Sequence, residues 1–381
     1  MLDIRDHGGD YSGGSKERWI YDMPNLGTIQ SDNVLLSPDS TLAAGVPRLA
    51  YAFPSSTPLA FLGNYYGVFA DQSSPTNYFV GRYTKALQRV QEIYRYTATI
   101  LFEKGLKIFK TRNRMVLAGI NGSSASLHMF SIGADGTITS IGAASTFSAN
   151  SSGEYGLAFD EARDRIYLYK ASTKLLYVYP ISTFQNNQSP LAVFTLTNFT
   201  NTSFGMFDVL DDGKILLTTG TQAFTYTVSP SLTMHGYVTV PTFQTMLHSD
   251  LTHYYVADQG VNIHKLDKNL NLIGSIPLFG AYSFLTIHEL KGKGFLMIRY
   301  YDAYMLYMVN TRTFTLSTMI FPNVHTGALS SNLLTAYRHD TNKSFILDED
   351  RNKLVYVGNY RSIHSSQTVM YYKVSEYSLK F

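Results

Sequence analysis

The chain has 381 residues, no cysteine, a formal net charge of +3, and 15% charged against 14% aromatic residues. Disulfides, thiolate nucleophiles and Cys-ligated metal centres are excluded outright, and so small and dispersed a positive charge argues against a nucleic-acid partner. With 29 Tyr and 23 Phe, the composition favours strands and leaves a polar, uncharged, aromatic exterior suited to contact with proteins or sugars.

Residues 1–55 stand outside the pattern that fills the rest of the chain. Gly8, Gly9, Gly13, Gly14, Pro24, Pro38, Pro47 and Pro54 punctuate them, with isolated apolar anchors at Trp19, Ile20, Tyr21, Leu35 and Leu36. This predicts an extended N-terminal arm that becomes ordered by docking on a neighbour, the five anchors being its partner-binding residues. Removing the arm is expected to leave the remainder folded. The start is charged and glycine-rich where a secretory signal needs an apolar core, and no apolar run approaches the ~20 residues of a membrane span. Synthesis in a cytosol without membrane insertion is expected, so the Asn-x-Ser/Thr triplets at Asn121, Asn150, Asn187, Asn198, Asn201 and Asn342 read as loop residues.

From residue 56 to 381 a four-strand pattern recurs about seven times at a spacing of roughly 40–60 residues, the signature of a β-propeller. The expected fold is all-β, a ring of about seven four-stranded blades. The first blade turns near Asn64, and its stretch 82–94 carries helical spacing that the repeat overrides in favour of strands. The second turns at Arg112-Asn113 and at Asp135-Gly136. The third and seventh contain matching hairpins whose turns open with Asp160-Glu161 and Asp348-Glu349. The fourth turns at Asp211-Asp212-Gly213, the fifth runs from Met246 to Ile273, and the sixth is split by Lys291-Gly-Lys-Gly294. The seventh is expected to finish on its own C-terminal strand, so that closure by a strand of the arm is allowed without being required. Residues 323–341 are expected to form an insertion on one rim. Ile166 and Ile215 are predicted to lie between blades.

Catalytic and cofactor motifs are missing. There is no Gly-x-Ser-x-Gly elbow, no phosphate-binding loop and no repeated Ser-x-Asp-x-Gly-x-Thr-Trp box. Candidate metal ligands are Asp3, Asp6 and His7; His248, Asp250 and His253; and His339 with Asp340, each better read as packed or rim-exposed side chains than as a site. The basic residues Lys104, Lys107, Lys110, Arg112 and Arg114 read as a solvated strand edge. In the aromatic pairs Tyr65-Tyr66, Tyr254-Tyr255, Tyr300-Tyr301 and Tyr371-Tyr372, one member is expected to point to the core and the other to offer a stacking face for sugars. No cofactor, no metal and no enzymatic activity are expected.

Residues 156–179 resemble the NHL and YVTN classes of propeller, and residues 131–139 resemble the strand-turn-strand of lactonase-like propellers; both imply the fold. The convergent acidic, His and Arg set of a lactonase is not found. Residues 2–14, Leu2-Asp-Ile-Arg-Asp-His-Gly-Gly-Asp10-Tyr-Ser-Gly-Gly14, resemble the leaders of virion proteins of tailed bacteriophages, whose tail nozzles include propeller domains. The resemblance implies a non-enzymatic structural protein of the virion, in the tail or neck, assembling with copies of itself or with other tail or portal-proximal proteins. A propeller that binds carbohydrate or a host receptor glycan is the alternative, and a lactonase- or glycosidase-like hydrolase the third.

Overall fold

The structure is a computed structural model that describes residues 29–38, 48–49, 59–70, 77–85, 89–97, 100–121, 124–142, 145–148, 155–185, 188–197, 205–228, 231–239, 243–250, 252–258, 262–277, 284–290, 294–299, 305–320, 337–348, 351, 353–364 and 367–379. These residues form seven antiparallel sheets, the blades of a β-propeller.

The first blade holds β2 (Arg48–Leu49) and β3 (Leu59–Phe61), both on one side of β4 (Asn64–Ala70), then β5 (Asn77–Thr84) and β6 (Arg89–Thr97). The second runs through β7 (Ile100–Phe109), β8 (Arg114–Asn121) and β9 (Ser124–Ile132) to an outer position shared by β10 (Ile138–Ser140) and β11 (Ser145–Ser148). The third is β12 (Tyr155–Asp160), β13 (Arg165–Lys170), β14 (Leu175–Pro180) and β15 (Ala192–Thr195). The fourth is β16 (Met206–Val209), β17 (Ile215–Thr219), β18 (Gln222–Val228) and β19 (Leu232–Thr239). The fifth is β20 (Phe243–Ser249), β21 (His253–Asp258), β22 (Asn262–Asp267) and β23 (Leu272–Pro277). The sixth is β24 (Phe284–Leu290), β25 (Gly294–Arg299), β26 (Met305–Asn310) and β27 (Thr315–Ile320). The seventh takes β28 (Tyr337–Asp348), β29 (Lys353–His364) and β30 (Gln367–Leu379) from the C-terminus and β1 (Ile29–Pro38) from the N-terminus.

Each sheet meanders outward from the ring axis. The first strands of neighbouring blades touch (β7 with β12, β12 with β16, β16 with β20), and the ring closes where β28 meets β2 and β3. Outer strands alternate half-buried and exposed residues, as β19 does along its whole length, whereas β17 is buried throughout. That contrast follows from the architecture, because a middle strand has a neighbouring blade on both faces while an outer strand faces water.

Alternate residues therefore serve opposite interfaces. Ile215 and Leu217 join Tyr167, Tyr169 and Val178 between the third and fourth blades, while Leu216 joins Met246, Tyr254 and Val256 between the fourth and fifth. Ile166 packs with Val116, Leu127 and Met129 of the second blade, so it and Ile215 both lie between blades as predicted.

Three expectations change. The seventh blade does not end on a separate C-terminal strand: β30 is one strand, and β1 pairs with it from Ile29 opposite Leu379 to Pro38 opposite Tyr371. A ring strand thus falls inside the stretch read as an arm, β2 is a second, and Leu35 and Leu36 lie opposite Val374 and Lys373. An arm outside the ring ends before Ile29. Residues 337–341 of the expected rim insertion belong to β28, and 323–336 lie outside the described residues. Within the stretch 82–94, residues 82–84 end β5 and residues 89–94 belong to β6, as the repeat required. No helix among the described residues is long and apolar enough to cross a membrane.

Candidate functional site

Among the described residues, the polar links between blades gather on one rim, at the end of the sheets where the first-to-second and third-to-fourth strand turns emerge. Among the described residues, each joint between blades except that of the sixth and seventh carries a polar link there. The tandem tyrosines show how it works. Tyr65 and Tyr66 of β4, and Tyr254 and Tyr255 of β21, are all fully buried, because both faces of a second strand are covered by blades. Tyr65 Oη donates to Asp348 Oδ2 of the seventh blade at 3.1 Å, while Tyr66 Oη donates to the Gly136 carbonyl of the second at 3.0 Å. In the fifth blade Tyr254 Oη donates to Asp212 Oδ2 of the fourth at 3.3 Å, and Tyr255 Oη to the Thr311 carbonyl of the sixth at 3.1 Å. One tyrosine of each pair reaches back and the next reaches forward. The expectation that one member faces solvent and offers a sugar platform is overturned for both pairs; Tyr300-Tyr301 and the side chains of Tyr371 and Tyr372 lie outside the described residues.

A lysine completes each clamp from the turn after the third strand. Lys85 Nζ lies 2.6 Å from Asp348 Oδ2 and 4.4 Å from the Tyr65 ring centroid. Lys268 binds Asp211 and the Asp250 carbonyl and lies 4.1 Å from the Tyr254 ring centroid. In the first blade cation and phenol hold one aspartate of the preceding blade, Asp348, and in the fifth they hold two adjacent ones, Asp211 and Asp212, the ring face adding a cation–π contact in each. Burial, then the Asp212 and Asp211 charges, push the Tyr254 phenol far above its ordinary range; burial and Asp250 do the same for Tyr255. Burial opposes ionisation of Asp212, but the backbone and side-chain hydrogen bonds from Lys214 outweigh it and leave the carboxyl below its usual range.

The turns are shaped for these contacts. Asp160 Oδ1 accepts from the Arg163 backbone N–H and its Oδ2 from the Arg163 guanidinium, both at 3.0 Å, and the same guanidinium donates to the Asp212 carbonyl at 2.8 Å. Gly213, at φ +84°, leaves the room: a Cβ there would sit 2.2 Å from the Arg163 guanidinium carbon. Between the second and third blades, Thr111 donates to Glu161 and Arg112 Nε to Asp164 Oδ1 at 2.8 Å. Arg114 donates to the Ile181 and Phe184 carbonyls, and Lys107 lies over the Phe109 and Phe159 rings. Lys107, Arg112 and Arg114 therefore stitch blades together, so the reading of their cluster as a solvated edge is corrected for these three.

A Ser–His–Asp chain lies in the fifth blade, unannounced by any sequence motif. His264, buried, places Nδ1 2.8 Å from Ser275 Oγ and Nε2 3.0 Å from Asp258 Oδ2. Asp258 is itself held by the Asn262 N–H and side-chain amide, which keep its carboxyl low against the opposing effect of burial. The three residues sit on three successive strands, and only the register that sets His264 opposite Ser275 brings them together. The chemistry is that of a base poised between a hydroxyl and an orienting carboxylate. The second and fourth blades repeat the His–hydroxyl half of it: His128 Nε2 lies 2.7 Å from Ser140 Oγ, and His235 pairs with Thr227. Repetition across the third and fourth strands of three blades marks it first as a way of satisfying an outer-sheet histidine.

Of the candidate metal ligands, His248, Asp250 and His253 are described, and they do not converge on one point. His248 packs between Tyr255 and Phe295, with ring centroids 5.6 and 5.4 Å away, while His253 and Asp250 belong to a local turn in which Asp250 Oδ1 accepts from the His253 N–H at 2.8 Å. No cluster of three or more metal-binding side chains occurs among the described residues. Asp3, Asp6, His7, Trp19, Ile20 and Tyr21 lie outside them, as do the side chains of Leu35, Leu36, His339 and Asp340.

No protein-family model matches the chain, and no curated protein matches it in sequence. Among solved structures it is similar to a protein from Lactobacillus plantarum, at 13% identity and a TM-score of 0.50, over 80% of this chain and 98% of that one. It is also similar to dihydro-heme d1 dehydrogenase NirN in complex with DHE, at 11% identity and a TM-score of 0.44, over 67% of this chain and 55% of that one. At 13% identity the first of these likenesses speaks for the multi-bladed β-propeller fold alone.

Proposed function

We propose that this propeller is a non-enzymatic structural component of a tailed-bacteriophage virion, a tail or neck protein of nozzle-like type that acts by binding other virion proteins. The observation that carries the reading is the seating of β1 on β30. It fixes the phage-like leader to the ring: Ile29 lies opposite Leu379, at the rim of the polar clamps, so whatever residues 1–28 bind is coupled mechanically to the propeller. A ring whose tandem tyrosines Tyr65-Tyr66 and Tyr254-Tyr255 are spent on joining blades, carrying a leader with Trp19, Ile20 and Tyr21, suits an assembly part. The test is a phage carrying the gene with codons 2–28 deleted and β1 intact. The truncated protein should fold and be missing from purified particles; its normal incorporation would sink the arm as the assembly element.

A hydrolase is the second reading, and one observation favours it, the Ser275–His264–Asp258 chain. Labelling of Ser275 by a fluorophosphonate ester, abolished by His264→Gln, would move the balance toward it.

A further inference from the structure

Where the seventh blade meets the first, an amine lies against a fully buried carboxyl. Asp348 ends β28 with no surface open to solvent, and its Oδ1 has no hydrogen-bond partner among the described residues. The matching aspartate of the third blade is fully engaged, Asp160 Oδ1 accepting from the Arg163 N–H and Oδ2 from the Arg163 guanidinium. Arg351 takes the place of Arg163 in the seventh blade, but its Nη1 stops 3.6 Å from Asp348 Oδ2 and a third of its side chain is in solvent. That oxygen is reached from the first blade instead, by Lys85 Nζ at 2.6 Å and the Tyr65 hydroxyl at 3.1 Å. Lys268, the corresponding lysine of the fifth blade, meets an aspartate that is partly exposed. Of the two clamp lysines, only Lys85 faces a carboxylate cut off from water.

We propose that Lys85 and Asp348 condense to an isopeptide bond that joins the first and seventh blades covalently. The Lys85 ammonium passes one proton to the carboxylate, leaving an amine and a carboxylic acid in contact. The amine lone pair adds to Cγ, the bond from Cγ to Oδ2 breaks, and Oδ2 leaves as water with that proton and a second one from the nitrogen. Tyr65, hydrogen-bonded to Oδ2, steadies the departing oxygen. Nothing outside the pair is consumed. Amine and carboxyl held in contact react at the high effective concentration of an intramolecular pair. Condensation also relieves the site, because a buried ion pair with an unpaired acceptor leaves two charges desolvated. In the product Oδ1 belongs to a neutral amide, for which a missing partner costs less than for a carboxylate. The two residues are 263 positions apart, so the bond would tie the C-terminal blade to the first where β28 and β4 have no main-chain link. It depends on this pair alone and holds whatever the ring binds.

The test is the intact mass of the full-length protein, purified folded, kept until its mass no longer changes, and then denatured. The chain should be lighter than its sequence by one water. Trypsin should release a branched peptide in which residues 83–89, uncut after Lys85, are joined to residues 344–351. Lys85→Arg keeps the cation but cannot form the amide, so it should carry its full sequence mass; Tyr65→Phe should lose water more slowly, and Lys268→Arg should lose it as the wild type does. A wild-type chain of full sequence mass, a lost water that persists in Lys85→Arg, or a branch at any other pair of peptides would overturn the proposal.

Discussion

Tyr65 and Tyr66 stand side by side on one strand, and neither shows any surface to solvent. In a single sheet with one wet face that would be a contradiction; between two blades it is the rule, since both faces are interior. The same logic sets the cost of truncation. Ile166 and Ile215 are wholly buried in different interfaces, so Ile166→Ala and Ile215→Ala should each lower stability by about 2–5 kcal/mol in urea titrations, and the two losses should nearly add. His128 gives a pH signature. Burial holds its pKa down to about 4, partly offset by a hydrogen bond to the Gly142 backbone, and its ring stacks on Phe130 at 4.3 Å. A histidine depressed on folding stabilises the protein above its unfolded pKa of ~6.5, and the contribution is lost as the pH falls toward about 4, amounting to about 3 kcal/mol. The melting temperature should fall across that window in the wild type and fall less in His128→Asn.

At the scale of the strand, the hairpins were legible because each carries its own turn chemistry: Asp135-Gly136, Asp211-Asp212-Gly213 and the Asp160 and Asp348 turns lie where the structure turns. Long-range partners were not. Nothing local distinguishes Ile29–Pro38 as the outer strand of a blade whose other members begin at Tyr337, since a strand on a sheet edge needs only one partner and tolerates Pro at its end. The Ser275–His264–Asp258 chain escaped for the same reason, since its members meet only through strand register. The pairing of β1 with β30 makes a sharp prediction about boundaries. Deletion of residues 2–28 should leave the melting temperature nearly unchanged, whereas deletion through residue 38 removes a nine-position ladder and exposes β30 as a bare edge. The longer deletion should melt many degrees lower and aggregate; equal stability of the two truncations would show that β1 is dispensable to the ring.

For the whole molecule the decisive joint is the one between the seventh and first blades, because β1 runs on to β2 across residues 39–47 while β28–β30, which come from the C-terminus and carry Asp348, reach the first blade with no main-chain link, through the pairing of β30 with β1 and the contacts of β28 with β2 and β3. Between the fourth and fifth blades the chain runs from β19 to β20 across residues 240–242, so a broken clamp there leaves the two blades tethered at high effective concentration. At the closure, β1 and the Asp348 clamp share the load. Asp348 is fully buried and meets Lys85, Tyr65 and Arg351. Lys85→Met removes the cation that lies 2.6 Å from that carboxylate, and Lys268→Met removes its counterpart at the tethered joint. The two lysines are similarly exposed, 21% for Lys85 and 25% for Lys268, but their carboxylates differ: Asp348 is fully buried and Asp211 is 25% exposed, so Lys85→Met also strands a buried charge, and the slope of the transition, more than its midpoint, reports the joint. Because the ring opens at its closure, Lys85→Met should lower the urea midpoint more, by about 2–3 kcal/mol of stability, and reduce the slope of the transition as the seventh blade detaches first. Hydrogen exchange should then locate the added opening in β28–β30. Equal midpoints and unchanged slopes for the two variants would mean that the blades unfold as one unit wherever the ring is cut.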